Sequence, residues 1–173
     1  KIGEVDSGSA IVWARLTKRP ERNINGKPFP KRKNPWDKKN QGEYNYDLEV
    51  MDAAVPGTGG QVRFTYWPEN GKKKKVTTPW KSVDPEKDFT LQANLEKLLP
   101  DTEYKIIAEG RAAENGKITC KVNGGFVTAA KADTPEKVKF TVVTGQEYHR
   151  RDDEKNGHKI YPKMLALDPD FFV

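Results

Sequence analysis

Leu98-Leu99-Pro100-Asp101-Thr102-Glu103-Tyr104 is the stretch that decides the fold. A leucine pair runs into a Pro-Asp turn, and a tyrosine then opens a strand. This is the sequence form of a tyrosine corner, in which a buried phenol bonds to backbone a few residues upstream and pins a crossing between two sheets. The competing reading is an ordinary turn before a strand. On the upstream side Phe89, Leu91, Ala93 and Leu95 alternate with Thr90, Gln92 and Asn94. On the downstream side Tyr104, Ile106 and Ala108 share one face. Period two on both sides of a corner argues for β-structure.

Working outward, the same period runs from Ser9 to about Ala130, broken at short intervals by turn signals. That pattern predicts an antiparallel β-sandwich. Ala10, Val12, Ala14 and Leu16 form one face of a first strand, with Trp13 on the other. Tyr46, Leu48 and Val50 alternate with Asp47 and Glu49, and Val62, Phe64 and Tyr66 share a face after the turns at Pro56-Gly57 and Gly59-Gly60. Asn70-Gly71 reads as a two-residue hairpin turn, whose two central residues both take positive φ, with the returning strand at 74–83. Asn115-Gly116 turns the chain into residues 117–122, where Ile118, Cys120 and Val122 point one way. Cys120 reads as a small buried hydrophobe.

The 173 residues correspond to one domain plus a remnant. Seventeen aromatics (7 Phe, 4 Trp, 6 Tyr) are too many for a wholly disordered chain. No apolar run approaches a membrane span. The start, Lys1-Ile2-Gly3-Glu4, lacks an apolar signal core, so an export signal is expected to have been removed already. One cysteine excludes an intramolecular disulfide and a cysteine-only zinc site. Net charge is +6, but 18–39 alone holds nine bases against Glu21 and Asp37, so the remaining chain sums to −1. With Pro20, Pro28, Pro30 and Pro35 and no periodicity, this stretch reads as a basic surface insertion at about 18–45.

After a polar linker at 131–137 the grammar changes. Val138–Val143 reads as a short strand, Thr144–Gly157 as a polar loop, and His158–Leu167 as a helix with Ile160, Met164 and Leu167 on one side. Pro162 then belongs in the first turn. Asp168-Pro169 ends the helix, and Asp170-Phe171-Phe172-Val173 opens a second strand. Strand, helix, strand is the first unit of a parallel sheet, and one such unit cannot cover both faces of its strands.

The corner resembles that of fibronectin type III domains, Leu-x-Pro-x-Thr-x-Tyr. The order of parts is similar to the front of the PhoD-like (alkaline phosphatase D) metallophosphoesterases. That order is Ala10–Thr17 with its Trp13, the corner, Phe126-Val127-Thr128, Val138–Gln146, and Asp168–Val173 beyond a helix. The resemblance implies a mostly β chain. A fibronectin III/immunoglobulin-like sandwich over 1–130 precedes, after the linker, the first β-α-β elements of a truncated α/β metallophosphatase domain at 138–173. Trp13, Leu99, Pro100 and Tyr104 would be structural. The parent would be a metal-dependent hydrolase of phosphoesters, secreted, cell-surface or periplasmic, with a divalent metal, iron or calcium, and its partners would be the remainder of the catalytic domain and the substrate. In relatives similar to the iron/calcium phosphodiesterases, the first catalytic strand ends in Ser-Cys-Gln with an iron-ligating cysteine. Here Thr144, Gly145 and Gln146 stand in those places, and Gly145 has no donor side chain. Either another group, such as Gln146 or His149, takes the cysteine's place or the site is altered, and no metal ligand is assigned.

Metallophosphoesterase sites lie beyond the carboxyl ends of parallel strands, which is where the 144–157 loop leaves the sheet. Gln146, Tyr148, His149, Arg150, Arg151 and Asp152, with Asp153 beside them, are the candidate active-site loop; the competing reading is a solvated loop. Arg150 and Arg151 suit phosphate best, because guanidinium meets its oxygens in pairs. As a fragment the chain is expected to be inactive. Two binding-module readings stand beside this one. Trp36, Trp67 and Trp80 are candidates to stack on sugar rings, and 18–39, with Phe29 and Trp36 among its charges, is a candidate polyanion or nucleic-acid anchor. Nucleic acid is the less favoured partner.

Overall fold

Apolar residues on alternate positions of two strand sets can leave water only by facing one another, and they do so here. The computed structural model describes residues 1–28, 47–71, 74–147, 151–153 and 155–173. They form two compact units, Lys1–Lys131 and Ala132–Val173.

The first unit is an antiparallel β-sandwich. One sheet orders β1 (Ile2–Gly3), β2 (Ala10–Arg15) and β6 (Thr90–Leu95). The other places β3 (Gln61–Pro68) between β7 (Glu103–Arg111) and two short strands, β4 (Val76–Thr77) and β5 (Lys81–Ser82), with β8 (Ile118–Val127) beyond β7. Ala10 pairs with Leu95 and Val12 with Ala93 across the first sheet, while Phe64 pairs with Ala108 and Tyr66 with Ile106 across the second. The core between them holds Ala10, Val12 and Leu95 against Val62, Phe64, Tyr66, Tyr104 and Ile106.

The 98–104 segment carries the chain from β6 in one sheet to β7 in the other. The Leu99 N–H donates to the Tyr104 phenol oxygen at 2.8 Å, and Leu98 N–H donates to the Gly8 carbonyl. Thr128, just past β8, locks the same turn: its hydroxyl donates to the Leu99 carbonyl at 2.6 Å and accepts from the Thr102 N–H at 3.0 Å. The Tyr104 ring stacks on Phe126, with centroids 5.3 Å apart.

Four local expectations are corrected. Tyr46 lies outside the described residues, and residues 48–50 form a turn rather than a strand, because the Asp47 carboxylate and carbonyl take the Glu49 and Val50 N–H groups. The Asn70-Gly71 hairpin is wider than two residues. Pairing resumes at Tyr66 with Val76, and Gly71, not Asn70, takes positive φ. The strand expected at 74–83 breaks in two at Thr78-Pro79-Trp80. Thr78 bonds to Phe64 with both backbone and side chain, while Pro79 has no N–H to give to a ladder. Cys120 is exposed, and Val122 is 67 % exposed. β8 is an edge strand of the wider sheet, and the opposing sheet has only three strands, so its rim has no cover.

In the second unit β9 (Phe140–Thr141) runs parallel to β10 (Phe171–Phe172), with the helix α1 (Ile160–Leu165) between them in sequence. The helix is shorter than expected, and of its apolar stripe only Met164 is buried. Tyr161 of α1 meets Phe172, whereas Phe140 and Phe171 stack on each other at 5.2 Å and stay 55 % and 49 % exposed.

Candidate functional site

Two places gather chemically active side chains. The first is the loop after β9. Gly145 takes positive φ and Gln146 is exposed, while Tyr148, His149 and Arg150 lie outside the described residues. Arg151 is half-buried. The Asp152 carboxylate accepts the Lys159 N–H at 3.0 Å, ahead of α1, and stands 3.9 Å from His158 Nδ1. Asp153 accepts from the backbone N–H of Lys155 and Asn156, and the Asn156 bonds are the main reason its carboxyl sits below the usual aspartate range. Backbone bonds also join Asp153 and Gly157 in both directions, closing the loop on itself. His158 Nε2 is buried with no hydrogen-bond partner among the described residues, and its ring meets Tyr161 edge-on. The two carboxylates therefore organise backbone. Among the described residues no three His, Cys, Asp or Glu side chains gather as a metal would need.

The second place is the outward face of the five-stranded sheet, and sequence reading singled out only part of it. Alternation turns Gln61, Arg63, Thr65 and Trp67 of β3 outward, beside Arg111, Glu109 and Lys105 of β7. The break at Pro79 sets Trp80 against this face, where the Arg63 and Arg111 guanidinium carbons lie 4.5 and 4.3 Å from its ring centre. Arg63 Nε meets Glu109 at 2.7 Å, and Lys121 of β8 meets the other Glu109 oxygen at 2.8 Å. The Lys121 ammonium, and after it the Arg63 guanidinium, hold this buried carboxyl below the ordinary glutamate value. Arg111 donates through Nε and Nη2 to Gln61. Further along β3, the Lys75 ammonium lies 3.9 Å from the Trp67 ring centre. At the end of the sheet a cleft of about 260 Å³ is lined by Tyr66, Trp67, Pro68, Val76 and Leu98. Most of the basic insertion, with Phe29 and Trp36, falls outside the described residues.

No family model matches the chain, and neither does any curated protein. Among solved structures it is similar in fold to PhoD, at 15 % identity and TM-score 0.53 over 87 % of this chain and 22 % of that one. The chain thus spans about a fifth of the length of that neighbour. Two structures of the sensor domain of the anti-sigma factor RsgI4 in Pseudobacteroides cellulosolvens also align. One does so at 14 % identity and TM-score 0.40 over 75 % of this chain and 89 % of that one. The other does so at 16 % and 0.41 over 87 % and 92 %.

Proposed function

We propose that the chain is the N-terminal accessory region of a PhoD-like metal-dependent phosphoesterase. In this reading residues 1–130 are a fibronectin III-like domain, 131–137 a linker, and 138–173 the first elements of an α/β hydrolase sheet. The observation that carries it is the parallel pairing of β9 with β10 around α1, following an antiparallel sandwich. Support comes from the apolar side chains that this pair leaves in water. Val138, Phe140, Val142, Phe171 and Val173 are all exposed, although parallel strands are ordinarily covered on both faces. The fold likeness to PhoD over 87 % of the chain supports the same reading.

The described residues do not fit a metal. Gly145 offers no donor, and Asp152 and Asp153 are engaged in holding backbone. The metal ions that would polarise a phosphoryl oxygen and activate water belong, on this reading, to sequence outside the chain. Export to the periplasm, cell surface or medium is part of the same proposal.

The test is hydrolysis of a chromogenic phosphodiester, with added manganese, calcium or iron, by this chain and by the polypeptide read on to its stop codon. Metal-dependent turnover is expected from the longer polypeptide alone. Turnover by the 173-residue chain, or none by the longer one, contradicts the proposal.

A further inference from the structure

We propose that the outward face of the five-stranded sheet binds an acidic polysaccharide, with its oxyanion groups held by Arg63 and Arg111 beside Trp80. Two cations, Arg63 and Lys121, pair with one carboxylate, Glu109, and a third, Arg111, shares the Trp80 ring with Arg63, which leaves the cluster positive. Arg63 uses Nε on Glu109 and Arg111 uses Nε and Nη2 on Gln61, so both Nη of Arg63 and Nη1 of Arg111 have no hydrogen-bond partner among the described residues. Their guanidinium planes are already fixed by the Trp80 ring and by these bonds. A ligand therefore orders little on arrival. Paired N–H donors match the oxygens of carboxylate or sulfate.

The polymer class follows from charge density and shape. Glu109 and Glu103 lie on the same face and already occupy Arg63, Lys121 and Lys105, so a chain with a negative charge on every unit, such as nucleic acid, leaves much of its charge unmatched along its path. A chain with sparser charges separated by hydroxyl-rich rings does not. Between Arg63 and Trp67 the strip offers hydroxyls, with Thr65 and Thr77 oxygens 3.0 Å apart. The strip is open and runs with β3, which suits an extended chain.

The test is calorimetric titration of the whole chain with a hyaluronan octasaccharide (one carboxylate every second sugar), a keratan sulfate octasaccharide carrying one sulfate every second sugar, a neutral cellulose oligosaccharide and a single-stranded oligonucleotide. Binding to either acidic octasaccharide, weakened by salt, is expected, and which of the two binds identifies carboxylate or sulfate as the group read. Arg111→Gln should weaken it at least tenfold while the chain still unfolds cooperatively. Arg63→Lys, which keeps the charge beside Glu109 but loses the planar fork, should weaken it severalfold. The proposal is overturned if neither acidic octasaccharide binds, or if the neutral oligosaccharide or the oligonucleotide binds as tightly. It is equally overturned if both variants bind like the parent, or if only deletion of 18–45 abolishes binding.

Discussion

Two hydroxyl groups, on Tyr104 and Thr128, hold the crossing between the sheets, and each satisfies backbone that the turn takes out of any ladder. Tyr104→Phe leaves the Leu99 N–H without its partner and should cost about 1–2 kcal/mol in urea unfolding. Thr128→Val strands both a donor and an acceptor in a buried place and should cost about 2–3 kcal/mol. Glu109 gives the fold an acid limb. Its carboxyl is held below the ordinary value of 4.5, so the stabilisation is fully present above that value and is lost as pH falls through the lower folded-state value. Glu109→Gln should flatten that part of a stability-against-pH curve, and an unchanged curve would count against the ion pairs with Lys121 and Arg63. The corner residues were legible because the signal is local: a proline, a turn aspartate and a tyrosine within seven positions. The role of Thr128 was not, since it depends on contact with a turn 26 residues away.

Elements were legible where both faces of a strand differ and hidden where a neighbour decides. β3 and β6 alternate in the sequence and in burial, whereas β2 and β7 do so only over their first halves, with Glu109 buried on the outward face of β7 under its cations. β8 alternates too, yet its inward side is exposed at Ile118, Cys120 and Val122 and packs on the core only at Phe126, because burial there depends on the width of the opposing sheet. Cys120 should accordingly react with a thiol reagent in the native state at a rate close to that of the unfolded chain; slow labelling would place it under cover. The position of Trp80 was equally hidden, since it follows from Pro79 interrupting an otherwise regular strand. The candidate loop after β9 was visible as a polar run, but its aspartates proved to serve backbone geometry. A close approach at Gly57 gives a further test. A Cβ there runs into the Phe89 ring, and Phe89 is itself held at positive φ, so it has little freedom to move aside. Gly57→Ala should lower stability by about 1–3 kcal/mol, read as a drop in melting temperature.

At the scale of the whole molecule, the two units differ in how well they bury what they contain. The first has a shared core, whereas the second leaves Phe140, Phe171 and Val173 in water. A chain cut after Lys131 should therefore unfold cooperatively with the melting temperature of the sandwich in the full chain, and should lose most of the full chain's binding of a hydrophobic dye. The most direct measurement is scalar coupling across hydrogen bonds by NMR. With β9 parallel to β10, the Val173 amide should couple to the Thr141 carbonyl and the Val143 amide to the Val173 carbonyl. Coupling of residues 138–143 to a strand of the sandwich instead would contradict the parallel pair, and with it the phosphoesterase reading.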